Sequence, residues 1–335
     1  MREYKMEAKV CIFTQAHNSE DTIGETIRSV LNQKYKNFTY YICDSGSNDS
    51  TAKVIERFAK VDKRIVPIYK RENDVWYLFS LIKKISRTDE YQYLAQIDAD
   101  DIMDENFLAM MVEYAQENRL DIVSCCSRYV DGNTGTDISR VNLEYNILID
   151  SPDLFDRLFP VYFRYIRDSW GKIFNINLFK DFSYDSAEES IRNGSVSTIC
   201  FDALFRANKI GVMWNKLHTY YVYSNSFERS LESKPRLVTS YLYDKYYNVM
   251  QEKCGQLSSE TRLFLYNNYI YSLKLKYAQL DKLGIEDSLK KLYKCEISRG
   301  KLATEIISNR DVAFKIPDMD EQIFSILKEA NEGEG

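Results

Sequence analysis

The chain of 335 residues is 44% hydrophobic and 14% aromatic, which is enough to bury a large core and excludes an intrinsically disordered protein. Its formal net charge of -5 argues against a nucleic-acid partner, because proteins that bind nucleic acids present a basic surface. No segment approaches the roughly 20 apolar residues of a membrane-spanning helix, so we expect a cytoplasmic protein.

Strand and helix patterns alternate over residues 1–130. Apolar runs predict five strands, at residues 8–14, 38–44, 64–69, 91–97 and 121–126. Between them, residues 18–33 and three later segments have the apolar spacing of amphipathic helices. This alternation predicts an α/β fold with a mostly parallel sheet flanked by helices.

Polar side chains follow the predicted strands where each strand ends. They occupy Thr14 to Asn18, Asp44 to Asp49, Asn73, and Asp98 to Asp101. The carboxyl ends of parallel strands meet at one edge of the sheet, which we call the carboxyl edge, so we expect these segments to lie together. Taken singly, each also has an ordinary explanation as a helix cap or an Asx turn.

The segment from Asp98 to Asp101, here called the acidic loop, places three carboxylates directly after an apolar strand. Like charges this close repel each other unless a cation or hydrogen-bond donors lie among them. Because the chain has only two histidines, a metal site must rely on carboxylates, which favour Mg²⁺ or Mn²⁺ over zinc. The acidic loop therefore predicts a cation site.

The pattern changes after the fifth predicted strand. Ser151 as N-cap and Pro152 at the first helical position predict the start of a helix. Short strands and helices follow, and from about Lys234 the chain has the pattern of aromatic-rich helices. We predict one domain over residues 1–232 and a helical region over residues 233–335, which packs on that domain, binds a partner or pairs subunits.

Several segments resemble the inverting nucleotide-sugar glycosyltransferases of family 2, which have the GT-A fold. Residues 10–59 are similar to the opening of that family, where a strand ends in a short polar turn and the next in an Asp-, Gly-, Ser- and Thr-rich turn. The sequence QIDADD at residues 96–101 is similar to its Asp-x-Asp element. Residues 168–179 and 200–223 are similar to its acceptor-side segments. The resemblance ends at about Ser230.

The resemblance implies a Rossmann-like GT-A domain, with a nucleotide-sugar-binding half over residues 1–130 and an acceptor-side half over residues 131–232. It implies transfer of a hexose-type sugar from a UDP-sugar to a glycan or lipid-linked glycan, with inversion, in bacterial surface polysaccharide synthesis. It also implies a divalent metal cofactor, Mn²⁺ or Mg²⁺. Peripheral association with the inner face of the membrane and homo-oligomers formed through the helical tail remain open.

The resemblance assigns roles to individual residues. It places six of them in the nucleotide-sugar site: Gln15, His17, Asn18, Asp44, Asn73 and Asp98. His17 stands where the family usually has Tyr or Phe, so its ring is expected to stack on the base. Asp44 is expected to accept the N3 hydrogen of uracil, and Asp98 to reach the ribose or the metal. Asp100 is expected to coordinate the metal that bridges the diphosphate, with Asp101 as a support for the loop.

The chemistry of transfer explains two further assignments. A carboxylate must deprotonate the acceptor hydroxyl, and the resemblance gives this role of general base to Asp202, with Phe201 in place of the usual first acid. Trp170 is the candidate platform for a sugar ring, because an aromatic face suits the C–H side of a pyranose. Their structural alternatives are an acid that complements a helix dipole, for Asp202, and a core aromatic, for Trp170.

The sequence departs from the family pattern in two places. The Gly and the Arg-Asn pair that usually follow Asn73 are missing, which leaves Arg71, Lys83 or Arg229 as candidates to pair with the diphosphate. Asn225 stands near the place where many members have a metal-binding His. The missing Arg, together with Phe201, keeps open a GT-A-fold protein that binds carbohydrate or nucleotide without turnover. The carboxylates themselves keep open a glycoside hydrolase that uses two of them as acid and base, although the Asp44 turn and the alternating strands speak against it.

Overall fold

A computed structural model describes residues 8–71, 75–139, 143–181, 197–223 and 239–332. In these ranges the strands are β1 (Val10–Ala16), β2 (Phe38–Ser45), β3 (Ile65–Lys70), β4 (Tyr93–Gln96), β5 (Ile102–Met103), β6 (Ile122–Asp131), β7 (Ile147–Ile149), β8 (Lys172–Asn175) and β9 (Ile210–Val222). The helices up to β9 are α1 (Ile23–Leu31), α2 (Thr51–Val61), α3 (Val75–Ser86), α4 (Phe107–Asn118), α5 (Pro152–Arg157), α6 (Phe159–Ile166) and α7 (Ser197–Arg206). The later helices are α8 (Thr239–Cys254), α9 (Ser259–Asp281), α10 (Asp287–Glu296), α11 (Lys301–Ile307), α12 (Arg310–Ala313) and α13 (Glu321–Glu332).

The strands form one sheet in the order β3-β2-β1-β4-β8-β6-β9-β5, and β7 pairs with β9. β1 to β4 are mutually parallel, and β6 and β9 run in the same direction as they do. Only the shorter strands β5, β7 and β8 among the described residues run the opposite way. The predicted mostly parallel sheet is therefore confirmed.

One local expectation was wrong, and one feature of the sheet was not predicted. The strand predicted at residues 121–126 is present as β6, but β8 lies between β4 and β6 and is antiparallel to both. The helix predicted over residues 18–33 begins only at Ile23, because Asn18 has a left-handed φ of 49° and the following residues form turns. The start of a helix at Pro152 is confirmed.

The core of the sheet is covered by α1, α2 and α4. On α1 the apolar residues Ile23, Ile27 and Val30 share one face and are fully buried, as their spacing predicts. Each such side chain contributes about 1.5–3 kcal/mol by leaving water. This packing fixes the helices that follow β1 and β2, and with them the loops at the carboxyl edge.

Gly211 on β9 marks a close approach between the sheet and α4. A Cβ atom there would lie 2.5 Å from Leu120 Cδ1 and 2.6 Å from Tyr114 Cε1. We expect Gly211→Ala to lower the free energy of unfolding by about 1–3 kcal/mol, since overpacking forces neighbours to move. Urea denaturation measures the change. In the control Gly24→Ala on α1 the nearest atoms are 3.8 Å away, so it should be neutral or stabilising; equal losses in both variants would contradict the prediction.

The chain forms two compact units. The first draws its described residues from Met1–Ser151, Tyr162–Tyr184 and Asp202–Ser226, and the second from Pro152–Val161, Asp185–Phe201 and Phe227–Gly335. In the second unit α9 is the central helix, and Tyr266, Tyr269, Leu273 and Tyr277 on it are buried. Much of the aromatic stripe in this helical region is therefore core.

The second unit is also held by polar contacts. The carboxylate of Asp244 accepts the backbone N–H groups of Lys301 and Leu302, both at 2.7 Å, and so caps the start of α11. None of the helices in the described part of the chain combines the length and the hydrophobicity that a bilayer-spanning segment needs.

Candidate functional site

The carboxyl edge brings three of the four predicted polar segments together. In the parallel register Ala16 lies beside Asp44, so β1 and β2 end at nearly the same level, and β4 ends slightly earlier, with Gln96 beside Phe13. The loops that follow these strands contain His17, Asp44 and the acidic loop. Asn73, the fourth predicted position, lies outside the described residues.

Hydrogen bonds join the loops after β1 and β2. His17 Nδ1 lies 3.0 Å from the carbonyl oxygen of Ser45, and Gln15 Nε2 donates to Ser45 Oγ at 3.0 Å. Asn18 Oδ1 accepts the backbone N–H of Asn48 at 2.8 Å, while the backbone N–H of Asn18 donates to Ser47 Oγ at 3.0 Å. The side chains of His17 and Asn18 remain exposed, which leaves the imidazole accessible at the edge.

Asp44 is buried at the end of β2. Its Oδ1 accepts the backbone N–H of Ser47 at 3.2 Å and also the Ser47 hydroxyl, so the turn that the sequence allowed does form. Gly46 completes this turn with a φ of 74°. Asp44 Oδ2 makes no hydrogen bond to the described residues, so one carboxylate oxygen is left to accept a donor from a ligand.

The acidic loop concentrates unfavourable negative charge. Asp98 and Asp100 are partly buried, and Gln96 Nε2 donates to Asp98 Oδ1 at 3.3 Å. Burial, followed by the charges of Asp101 and Asp100, raises the pKa of Asp98 to about 8. Burial also raises the pKa of Asp100. A bound cation would relieve this repulsion and favour the ionised carboxylates.

Asp101 is held by the protein on several sides. It is fully buried, and its Oδ1 accepts the backbone N–H of Tyr221 at 3.1 Å. Its Oδ2 lies 3.2 Å from His218 Nε2, although the two atoms do not have hydrogen-bond geometry. Burial, together with the charge of Asp100, raises the pKa of Asp101 well above its usual value. These contacts agree with the expected role of Asp101 as a support for the loop.

The donor set suits a hard divalent ion. No three His, Cys, Asp or Glu side chains in the described ranges are grouped closely enough to hold a metal on their own. Mg²⁺ and similar ions commonly use one or two carboxylates and take their other oxygens from substrate phosphates and water. The partly buried carboxylates of Asp98 and Asp100, whose pKa values are raised by burial, fit such a shared site.

Trp170 belongs to an aromatic cluster beside the acidic loop. Its half-buried ring stacks on His218, with centroids 4.9 Å apart, and on Tyr220, with centroids 5.1 Å apart. Tyr129 meets it edge-on at 6.3 Å. The cluster presents partly exposed aromatic rings, which are suited to contact with a sugar.

Sequence reasoning missed His218. Its side chain is fully buried, its Nδ1 lies 3.1 Å from Ser127 Oγ, and burial lowers its pKa to about 3. The antiparallel pairing of β5 with β9 places His218 opposite Met103, two residues after Asp101. No local pattern indicates that pairing, so only the fold identifies the contact.

The remaining predicted residues differ in how far the structure describes them. Asp202 lies on α7, and its side chain is outside the described part of the chain, as are Asn225 and Arg229. Arg71 is exposed directly after β3, at the carboxyl edge. Lys83 is on α3, eight residues past Val75, which places it about 12 Å along the helix axis from the start of α3. Arg71 is therefore better placed than Lys83 for a ligand at that edge.

The edge also holds two lysines that the sequence did not single out. Lys70 is paired with Ser45 at the end of β3, and its Nζ lies 3.4 Å from the centroid of the Tyr77 ring. Lys172 begins β8 and is buried, and its Nζ donates to the carbonyl oxygen of Trp170 at 3.0 Å.

Comparison with known proteins gives a consistent picture. Residues 11–179 match the family model described as glycosyl transferase family 2. The chain is 31% identical over 122 residues to an uncharacterized glycosyltransferase of Haemophilus influenzae, which covers 36% of each protein. It is 25% identical over 218 residues to the uncharacterized glycosyltransferase EpsJ of Bacillus subtilis, covering 65% of this chain and 62% of EpsJ. A third relative is the putative teichuronic acid biosynthesis glycosyltransferase TuaG of Bacillus subtilis, 30% identical over 108 residues, with 32% of this chain and 42% of TuaG covered. The matches thus span less than two thirds of each of these relatives.

Solved structures show the same fold. S. aureus TarS 1–349 in complex with UDP-GlcNAc has a TM-score of 0.53 at 16% identity, with 96% of this chain and 81% of TarS covered. The mannosyltransferase PcManGT from Pyrobaculum calidifontis, in complex with GDP-Man and Mn²⁺, has a TM-score of 0.50 at 12% identity, with 97% and 86% covered. At these identities the likeness concerns the fold alone.

Proposed function

The chain belongs to glycosyltransferase family 2 and has the GT-A fold, and from this premise we propose that it transfers a sugar from a UDP-sugar to a glycan acceptor with inversion. The observation that carries the proposal is the meeting of the loops after β1, β2 and β4 at one edge of the sheet. We assign the activity to residues 1–232 and treat residues 233–335 as a helical appendage.

The first two loops form the proposed nucleotide site. His17 is exposed where a base would stack, and Gln15 and Asn18 hold its loop against the turn after β2. Asp44 uses one oxygen for that turn and keeps Oδ2 to accept the N3 hydrogen of uracil. Adenine has no ring N–H donor, and the larger ring system of guanine holds its N1 hydrogen in a different place, which supports a uridine nucleotide as the donor. Asn73 completes the proposed nucleotide-sugar contacts.

The acidic loop forms the proposed metal site. Asp100 coordinates Mn²⁺ or Mg²⁺, and Asp98 binds the same ion or the ribose. When bound, the ion neutralises charge on the departing diphosphate, a contribution of several kcal/mol to the transition state. Asp98 and Asp100 would hold the metal ion through their carboxylates. Burial and the neighbouring negative charges disfavour these ionised groups, and a bound cation would offset that cost. Arg71 is our candidate for a further positive group near the diphosphate.

The acceptor side consists of Asp202 and the aromatic cluster of Trp170, Tyr220 and Tyr129. We assign to Asp202 the removal of the proton from the acceptor hydroxyl, and to Trp170 the binding of an acceptor sugar ring through its C–H face. The stacked and edge-on contacts of Trp170 hold its ring in one orientation, which supports this role.

The biological setting is part of the same proposal. TuaG, whose name assigns it to teichuronic acid biosynthesis, supports a role in synthesis of a bacterial surface polysaccharide. By analogy with that family we place the protein in the cytoplasm, with peripheral association at the inner face of the membrane. For the helical appendage three roles stay open: packing on the catalytic part, binding a partner or pairing subunits.

A thermal-shift assay tests the nucleotide and metal together. A ligand that binds only the folded state stabilises it by about 2.7 kcal/mol at a hundredfold excess over its dissociation constant. We expect UDP with Mn²⁺ to raise the melting temperature more than UDP or Mn²⁺ alone, and more than GDP or ADP with Mn²⁺. Equal shifts with all three diphosphates would contradict the uridine assignment, and no shift with any of them would contradict the nucleotide site.

A further inference from the structure

Asp101 ties the acidic loop to strand β9. Its backbone N–H donates to the carbonyl oxygen of Asp98 at 3.3 Å, and its carbonyl oxygen accepts Thr26 Oγ1 at 2.9 Å. Its carboxyl group faces β9, where it meets the backbone N–H of Tyr221 and the ring of His218. Movement of Asp101 would therefore move Asp98 and Asp100, the residues proposed to bind the metal.

His218 connects Asp101 to the acceptor side. One ring nitrogen lies 3.2 Å from Asp101 Oδ2, and the other lies 3.1 Å from Ser127 Oγ on β6. The same ring stacks on Trp170 at 4.9 Å, with planes 17° apart. The side chains of His218 and Asp101 have no exposed surface, so neither is accessible to a substrate.

We infer that His218 is a positioning residue, which fixes the acidic loop through Asp101 and fixes Trp170 by stacking. A buried imidazole with Ser127 at one nitrogen, the Asp101 carboxyl group packed beside the other and Trp170 against one face sets the relative placement of the cation site and the sugar platform. The effect of His218 on metal binding rests on the proposed function. The effect of His218 on the position of the acidic loop does not. Removal of a residue that orients the ligands of a metal ion typically lowers the affinity for that ion by about 10–100-fold.

Three substitutions separate the contacts of His218. In His218→Gln the side-chain amide reaches the position of Nε2 and retains the contact with Asp101. In His218→Asn the shorter amide reaches only the position of Nδ1 and retains the contact with Ser127. In His218→Phe the ring is kept for stacking on Trp170, and both polar contacts are lost.

Hydrogen–deuterium exchange without any ligand is the first measurement. We expect the backbone N–H groups of Asp101 and Tyr221 to exchange at least tenfold faster in His218→Phe and His218→Asn than in the wild type, and near the wild-type rate in His218→Gln. Wild-type exchange in the Phe and Asn variants would overturn the inference, and so would equally fast exchange in all three. Should His218→Phe fail to fold, the comparison of Asn with Gln decides alone.

Binding of Mn²⁺ in the presence of UDP, followed by electron paramagnetic resonance, is the second measurement. We expect affinity to fall by about 10–100-fold in His218→Phe and His218→Asn and to be restored in His218→Gln. If exchange follows the expected pattern but the wild type binds no Mn²⁺ with UDP, the proposed function fails while the positioning role stands. If the wild type binds and the Phe and Asn variants bind equally well, the positioning role fails while the proposed function stands.

Discussion

Replacement of Asp100 by Ala is expected to abolish the metal-dependent release of UDP from a UDP-sugar. The loss of a metal ion costs several kcal/mol of transition-state stabilisation, and each 1.36 kcal/mol is a factor of ten in rate. We therefore expect a rate lower by about a hundredfold or more, with little dependence on added Mn²⁺. A coupled assay for UDP, run with Mn²⁺ and with a chelator, measures both effects.

The structure explains why Asp100 should be more sensitive than its neighbours. The carboxyl group of Asp101 is fixed by the protein, through the backbone of Tyr221 and the ring of His218. The carboxyl group of Asp100 is partly exposed. Among the described residues, the hydrogen bond that lowers its pKa comes from its own backbone N–H. The carboxylate oxygens of Asp100 are thus available to coordinate a metal ion.

Asp104→Ala is the matched control for this prediction. Asp104 is exposed close to the acidic loop, and its Oδ1 accepts the backbone N–H and the side-chain amide of Asn106, both at 2.9 Å. Its removal should cost about 1 kcal/mol of stability through the hydrogen bonds lost from this turn, and leave metal-dependent turnover intact. Wild-type turnover of Asp100→Ala in the presence of chelator would refute the metal assignment.

Local patterns were sufficient to predict the first half of the fold. The buried face of α1 and the parallel strands β1, β2 and β4 follow from apolar periodicity, which depends only on neighbouring residues. The carboxyl edge followed from those strands, because a parallel register brings their ends together. For this reason His17, Asp44 and the acidic loop could be grouped from the order of residues alone.

Contacts between distant segments were not predictable in the same way. The insertion of β8 between β4 and β6 depends on antiparallel pairing with strands far away in sequence, and a strand of only four residues carries no sign of its direction. The contact of His218 with Asp101 depends on the pairing of β5 with β9. The start of α1 was misplaced because the left-handed turn at Asn18 depends on hydrogen bonds to the loop after β2.

Replacement of Asp202 by Asn is expected to leave binding of the UDP-sugar intact and to slow transfer by about 10²–10⁴-fold, the usual contribution of a general base. Asn has nearly the same shape as Asp but cannot take up the proton of the acceptor hydroxyl, so the defect should appear in kcat rather than in donor affinity. Single-turnover transfer, with donor binding measured separately by thermal shift, distinguishes the two.

Asp168→Asn is the control that makes this test specific. Asp168 lies two residues before Trp170 and pairs with Arg167 at 3.2 Å, so it is the described carboxylate next to the proposed sugar platform. If Asp202 is the base, the transfer rate of Asp168→Asn should be within about twofold of the wild type. The variant keeps the base and loses only an ion pair, and such pairs contribute little to stability. Full activity of Asp202→Asn combined with a loss in Asp168→Asn would move the base to Asp168.

A wild type that binds the UDP-sugar yet consumes none with any glycan acceptor would instead favour a binding protein, since Phe201 already removes one acid of the family's usual pair.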